Sequence, residues 1–158
     1  MANNPLHSAV NTAAASRVQR VLPPGWLVRV QEPITTTDSE PEPDLVVVRG
    51  AVWDFADRHP DSAEVGLVVE VSDSSLRQDR ARKRVLGARA GIPAYWIVNL
   101  TDRQLEVHQA PGGAADPADY TVRTDYRPGD RAPLVLDGAL VGEVEVADLF
   151  PPQPATVG

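Results

Sequence analysis

Apolar positions recur at helical spacing from about His7 to Val21, through Val10, Ala14, Val18 and Val21, and Pro23-Pro24-Gly25 stops the pattern. Trp26 to Val30 then alternates apolar and polar residues, as a half-buried strand does. A polar, acidic stretch from Thr35 to Pro43 reads as a loop, and Asp44 to Arg49 (DLVVVR) as a short valine strand broken by Gly50. Val52 to Glu64 is irregular and polar, a surface excursion. Gly66 to Ser72 (GLVVEVS) is the strongest strand signal in the chain, and its composition predicts burial on both faces. Asp73, Ser74 and Ser75 offer N-cap oxygens for a helix from about Leu76 to Ala90, which Gly91 and Pro93 close. Ala94 to Asn99 (AYWIVN) reads as a buried strand that pairs with Arg103 to Gln109 through a turn at Thr101-Asp102. A loop from Pro111 to Pro117 follows. Tyr120 to Thr124, Leu134 to Leu136 and Leu140 to Val146 complete the strands, with a turn at Arg127 to Arg131. The order predicts an α/β domain, a mixed β-sheet flanked by two α-helices, over residues 1–150, and a flexible tail at 151–158.

Composition narrows the chemistry. The chain has 158 residues, 42% hydrophobic, enough for one core. No apolar run reaches the roughly 18 residues a membrane span needs, and the N-terminus lacks the basic start and apolar block of a secretory signal. With no cysteine, thiolate metal sites, disulfides and a cysteine nucleophile are excluded, and a reducing cytoplasm is the expected setting. His7, His59 and His108 are scattered, which argues against structural zinc. A net charge of -7 excludes a protein that coats nucleic acid by charge alone, but not one with a local basic strip. Acidic clusters are also metal ligands, whose charge counts against the total until a cation binds.

Two acids and one base stand out. Glu70 lies between valines inside GLVVEVS, where a carboxylate costs free energy unless it is paired or holds a cation. The plain alternatives are an edge strand with Glu70 in water, or a simple ion pair. Strand periodicity puts Glu70 and Ser72 on one face. Asp44, just after Pro43, is by itself an ordinary turn residue; beside Glu70 it becomes one of two carboxylates able to share a hard cation. Lys83 is the only lysine, since the other 14 of the 15 basic residues are arginine. Lysine, unlike arginine, can be tuned to hold or give up a proton. Asp79 and Lys83 share a helix face at i,i+4, which also fits a solvated ion pair. Arg77, Arg80, Arg82 and Arg84 on that helix could line a phosphate backbone or form an ordinary wet face.

The segments PEPDLVVVRG and LVVEVSDSSLRQDRARKRVLGARAGIPAYWIVNL carry a Pro-Asp before a valine strand and E-V-S before paired serines. An Asp four residues before a Lys and A-G-I-P-x-Y-W-I-V follow. In order and spacing these blocks resemble the Uma-two family, a bacterial group of restriction-endonuclease-like proteins within the PD-(D/E)XK nuclease superfamily. The resemblance runs from NPLHSAV through VADLF. It implies a restriction-endonuclease-like mixed sheet flanked by helices, Mg²⁺ (with Mn²⁺ as a substitute) on Asp44 and Glu70, and Lys83 as the superfamily lysine moved onto the helix. Asp79 would orient Lys83, and Ser72 holds the position of the lysine in the simple E-x-K form. It further implies DNA phosphodiester hydrolysis and a homodimer. The family's usual opening strands, with an acid before the first helix, are absent, and an open sheet edge of that kind invites a partner chain. Ala94 and Asn99 stand where the family usually has Glu and Asp. The competing expectation is a nuclease-fold binding or assembly module that does not cut; a metal-dependent hydrolase of another substrate is a third.

Overall fold

The computed structural model describes residues 4–73, 77–112 and 116–154, with side chains at all of these but 77–79. The Ser74-Ser75 cap and Leu76 therefore lie outside the described residues. Helix α1 spans Pro5–Val21: the Asn4 side chain accepts a hydrogen bond from His7 N, Pro5 opens the first turn, and Val10, Asn11, Ala14 and Val18 form its buried stripe. Strands β1 (Trp26–Val30), β2 (Leu45–Arg49) and β3 (Val65–Ser72) run antiparallel to one another in turn. Helix α2 (Arg77–Arg89) carries the chain back so that β4 (Ala94–Asn99) lies parallel to β3. Strands β5 (Gln104–Gly112) and β6 (Asp119–Tyr126) add antiparallel, and the six stand in sequence order. Every residue of β3 and β4 is buried, as expected for the parallel pair at the middle of the sheet.

The last two strands depart from a continuation of that sheet. Among the described residues, strands β7 (Arg131–Leu136) and β8 (Ala139–Glu145) pair only with each other, through a turn at Asp137 and Gly138, both with positive φ. Their Ala132, Leu134, Leu136 and Val144 join Val10, Ala14 and Val18 of α1 against Leu67, Val69, Trp96 and Val98 of the sheet. The opposite face carries Val46, Val48, Val68, Tyr95 and Ile97, covered by Ile34 and Ile92. Helix α2 packs on that second face, against β5 and β6. The alternation that gives the first face its apolar residues leaves Glu70, Ser72, Asn99, Gln104, Glu106 and His108 buried on the second. One face is thus a plain core and the other a core crossed by polar groups. Among the described residues no helix is long and apolar enough to cross a membrane. Of the tail, 151–154 are exposed and 155–158 lie outside the described residues.

Candidate active site

Strand register brings the two acids together. Leu45 pairs with Val69 in the antiparallel β2–β3 ladder, so one step further Asp44 stands across from Glu70. Asp44 Oδ2 accepts the Val71 N–H at 2.8 Å, which replaces a ladder hydrogen bond and fixes the carboxylate at the strand mouth. Glu70 is only 8% exposed. Burial pushes its carboxyl well above the usual range, the Asp44 charge pushes it further the same way, and Lys83 opposes both. The plain alternative of an edge strand with Glu70 in water does not hold, since β3 lies between β2 and β4. Ser72, on the same face, is buried, and its Oγ donates to the Asp73 carbonyl at 3.1 Å.

Helix α2 presents two stripes to its surroundings. Lys83, Leu86, Gly87 and Ala90, at spacings of three and four, line a cavity shared with Glu70. The helix can sit this low because residue 87 is glycine: a Cβ there would stand 2.9 Å from the Tyr95 ring and 3.1 Å from the Tyr120 hydroxyl oxygen. Arg80 and Arg84 form the other stripe. Arg84 makes a two-pronged pair with Asp119 at 2.9 and 3.0 Å, and Arg80 Nη1 lies 3.9 Å from Glu106. These two arginines tie the helix to β5 and β6, so a phosphate would compete with their acids. Arg82 is exposed. The Arg77 and Asp79 side chains lie outside the described residues.

Opposite the Lys83 stripe, the chain between β1 and β2 forms the far wall of the cavity. The wall is a built loop. Ile34 N donates to Pro41 O at 3.0 Å, Thr35 N to Pro60 O at 2.8 Å and Thr36 N to Ser39 O at 2.9 Å. The cavity encloses about 120 Å³.

Two groups escape sequence reasoning. His7, in the first turn of α1, places Nε2 3.1 Å from Asp44 Oδ1; the separation is that of an ion pair, with the ring angled off a straight hydrogen bond. One turn on, Asn11 is buried with neither amide atom paired among the described residues. The available signal was Asn4-Pro5, an N-cap followed by proline, which fixes where α1 begins and so where His7 points. The second group surrounds Glu106, 2% exposed and one row across the sheet from Glu70 through Ile97. Burial alone would raise its carboxyl, but hydrogen bonds from His108 and Asn99, with Arg123 and Arg80 near, hold it at about 2. Asn99 Nδ2 reaches both Asp102 at 3.0 Å and Glu106 at 2.9 Å. An aspartate at 99 would set a third carboxylate against those two, which accounts for the amide here.

Among curated proteins none matches the chain. A protein of Anabaena variabilis ATCC 29413, whose crystal structure is described as that of a putative nuclease belonging to DUF820, superposes with a TM-score of 0.67. The match covers 95% of this chain and 83% of that one at 17% identity, a likeness of fold. The family model of Uma2, described as "Putative restriction endonuclease", matches residues 1–138, which take in both helices, the whole six-stranded sheet and Asp44, Glu70 and Lys83. With the α/β fold of a nuclease-like structure and that span of sequence, the chain belongs to the Uma2 family of restriction-endonuclease-like proteins.

Proposed function

We propose that the chain is a divalent-cation-dependent endonuclease that hydrolyses phosphodiester bonds of DNA, with Asp44, Glu70 and Lys83 as its catalytic groups. The observation that carries this reading is Glu70: a carboxylate enclosed in a central strand, with a second carboxylate and a lysine beside it. Two ionised carboxylates there work against folding, a cost that protonation of Glu70, the Lys83 charge or a bound cation relieves. The residues fit a hard cation. Asp44 and Glu70 supply oxygens, and among the described residues no group of three or more His, Cys, Asp or Glu stands together as a closed metal cage. Mg²⁺ takes one or two carboxylates and fills the remaining positions with water and phosphate, whereas structural zinc wants a full protein shell.

Asp44 and Glu70 would hold Mg²⁺ or, in its place, Mn²⁺. When bound, the cation polarises the phosphate and lowers the pKa of the attacking water. The Val71 N–H holds Asp44 in place, and His7 borders its second oxygen. Lys83 neutralises charge gathering on the phosphate or positions the water for attack. By the family resemblance, Asp79 orients Lys83. Arg82 is free to meet a flanking phosphate, and Arg77 belongs to the same proposed set.

The test is plasmid cleavage with Mg²⁺ by the wild type, Glu70→Gln and Lys83→Ala. Each variant should lose about 100-fold or more in rate. Equal cleavage by all three would sink the assignment. A second reading, a binding or assembly module that keeps the fold without cutting, is favoured by the engagement of Arg80 and Arg84 with acids, which leaves fewer cations for DNA. It predicts no rise in melting temperature with Mg²⁺. A homodimer in the cytoplasm is the setting expected of the enzyme, and sedimentation equilibrium would give the assembly state.

A further inference from the structure

We propose that the cavity beside Glu70 receives one unstacked DNA base, so that the chain cuts single-stranded or locally unpaired DNA in preference to intact duplex; this rests on the phosphodiester-cleaving reading of Glu70 and Lys83. Size is the first reason. At about 120 Å³ the cavity is well below the roughly 300–1,000 Å³ typical of drug-sized ligand sites. It has room for one flat fragment and not for a stacked pair. Its lining is the second. Pro41 and Leu86 give exposed apolar walls, backed by the buried Ile34, Val68 and Tyr95, apolar surroundings of the kind in which enzymes hold an extruded base. Glu70 and Lys83 lie in the same lining, so a base inside would bring its own backbone to that carboxyl and the lysine.

Charge is the third reason. The helix side of the cavity carries Lys83 and Arg89, and the loop side carries Asp38 and Glu42. A single strand can run along the helix side with its phosphates on the cations. The second strand of a duplex would bring phosphates toward the acidic loop, which its internal hydrogen bonds hold in position.

The experiment compares one labelled sequence as a single strand, as a blunt duplex and as a duplex with a central unpaired base, all with Mg²⁺. The single strand and the unpaired site should be cut at least about 10-fold faster than the intact duplex. Two variants probe the cavity: Ala90→Leu, which fills it, and Leu86→Ser, at a position already 42% exposed and so tolerant of change. Both should slow single-strand cleavage several-fold while their melting temperatures stay near wild type. In parallel, a single strand carrying 2-aminopurine is titrated with metal-free protein. Its fluorescence should change with the wild type and much less with Ala90→Leu. Equal cutting of single strand and duplex, with both variants behaving as wild type, would overturn the base pocket and leave the nuclease reading standing. No cutting of any substrate overturns the nuclease reading, and a fluorescence response that is the same in wild type and Ala90→Leu overturns the pocket whatever the cleavage result.

Discussion

Glu70 and His7 show what one residue can disclose. Glu70 is conspicuous in the sequence because a carboxylate between valines in a strand has few inexpensive positions, and strand periodicity states which face it takes. Asp44 is legible mainly through Glu70: at the mouth of a valine run it is an ordinary turn residue until it is paired with that acid. His7 is not, since nothing local links it to an acid 37 residues on; the contact exists only once α1 is laid against the sheet. We expect His7 to be a positioning residue for Asp44, acting as groups behind a metal ligand do. Their removal commonly costs 10–100-fold in metal affinity. His7→Ala should therefore raise the Mg²⁺ concentration for half-maximal cleavage by about 10-fold, with His7→Gln, which keeps a nitrogen donor near the same place, recovering part of it. An unchanged Mg²⁺ midpoint in His7→Ala would show the histidine to be a bystander.

Helix α2 was readable as a helix but not in its orientation. Its run of arginines suggests either a phosphate-binding face or a wet one, and only the positions of Glu106 and Asp119 decide between these for Arg80 and Arg84. The alternation of RQLEVHQ puts Glu106, like Gln104 and His108, on one face of β5, yet gives no sign that this face is buried beneath the helix. The Arg84–Asp119 pair, with Arg80 near the Glu106 network, ties α2 to the sheet, and with it Lys83, one turn from Arg80; the Glu106 network adds to that hold on this face. Its strength is open to pH. The Glu106 carboxyl is held at about 2 against an ordinary 4.5. As pH falls, the unfolded chain takes up this proton first, so the stability Glu106 contributes is complete above about 4.5 and drains away between there and about 2. The contribution is on the order of 3 kcal/mol. Urea midpoints should fall in the wild type across that range. Glu106→Gln should be less stable than wild type at pH 7 and close to it near pH 2. A difference that persists unchanged at low pH would mean the carboxylate charge does not hold this face together.

At the scale of the molecule, the sheet divides its duties between its faces. The α1 face, closed by the β7–β8 hairpin, is a continuous apolar core; the α2 face holds the cavity, the two acids and the Glu106 network. The proposed site stands where β3 ends, beside a parallel partner, the end at which open α/β sheets commonly bind their ligands. The sequence shows β7 and β8 as short strands, but strand patterns do not say that they form a hairpin or which sheet it joins. Here the hairpin leaves the main sheet to cover α1. If the faces are separate in this way, damage to the hairpin should lower stability without touching chemistry. Gly142 offers the means: a Cβ added there would stand 2.8 Å from Val21 Cβ on α1, a backbone-near contact that cannot rotate away. Gly142→Ala should cost about 1–3 kcal/mol, read as a lower urea midpoint. Single-turnover cleavage per folded molecule should stay within about twofold of wild type. A large fall in that rate would mean that packing on the α1 face reaches Asp44, and the natural route would be through His7, whose helix the hairpin holds down.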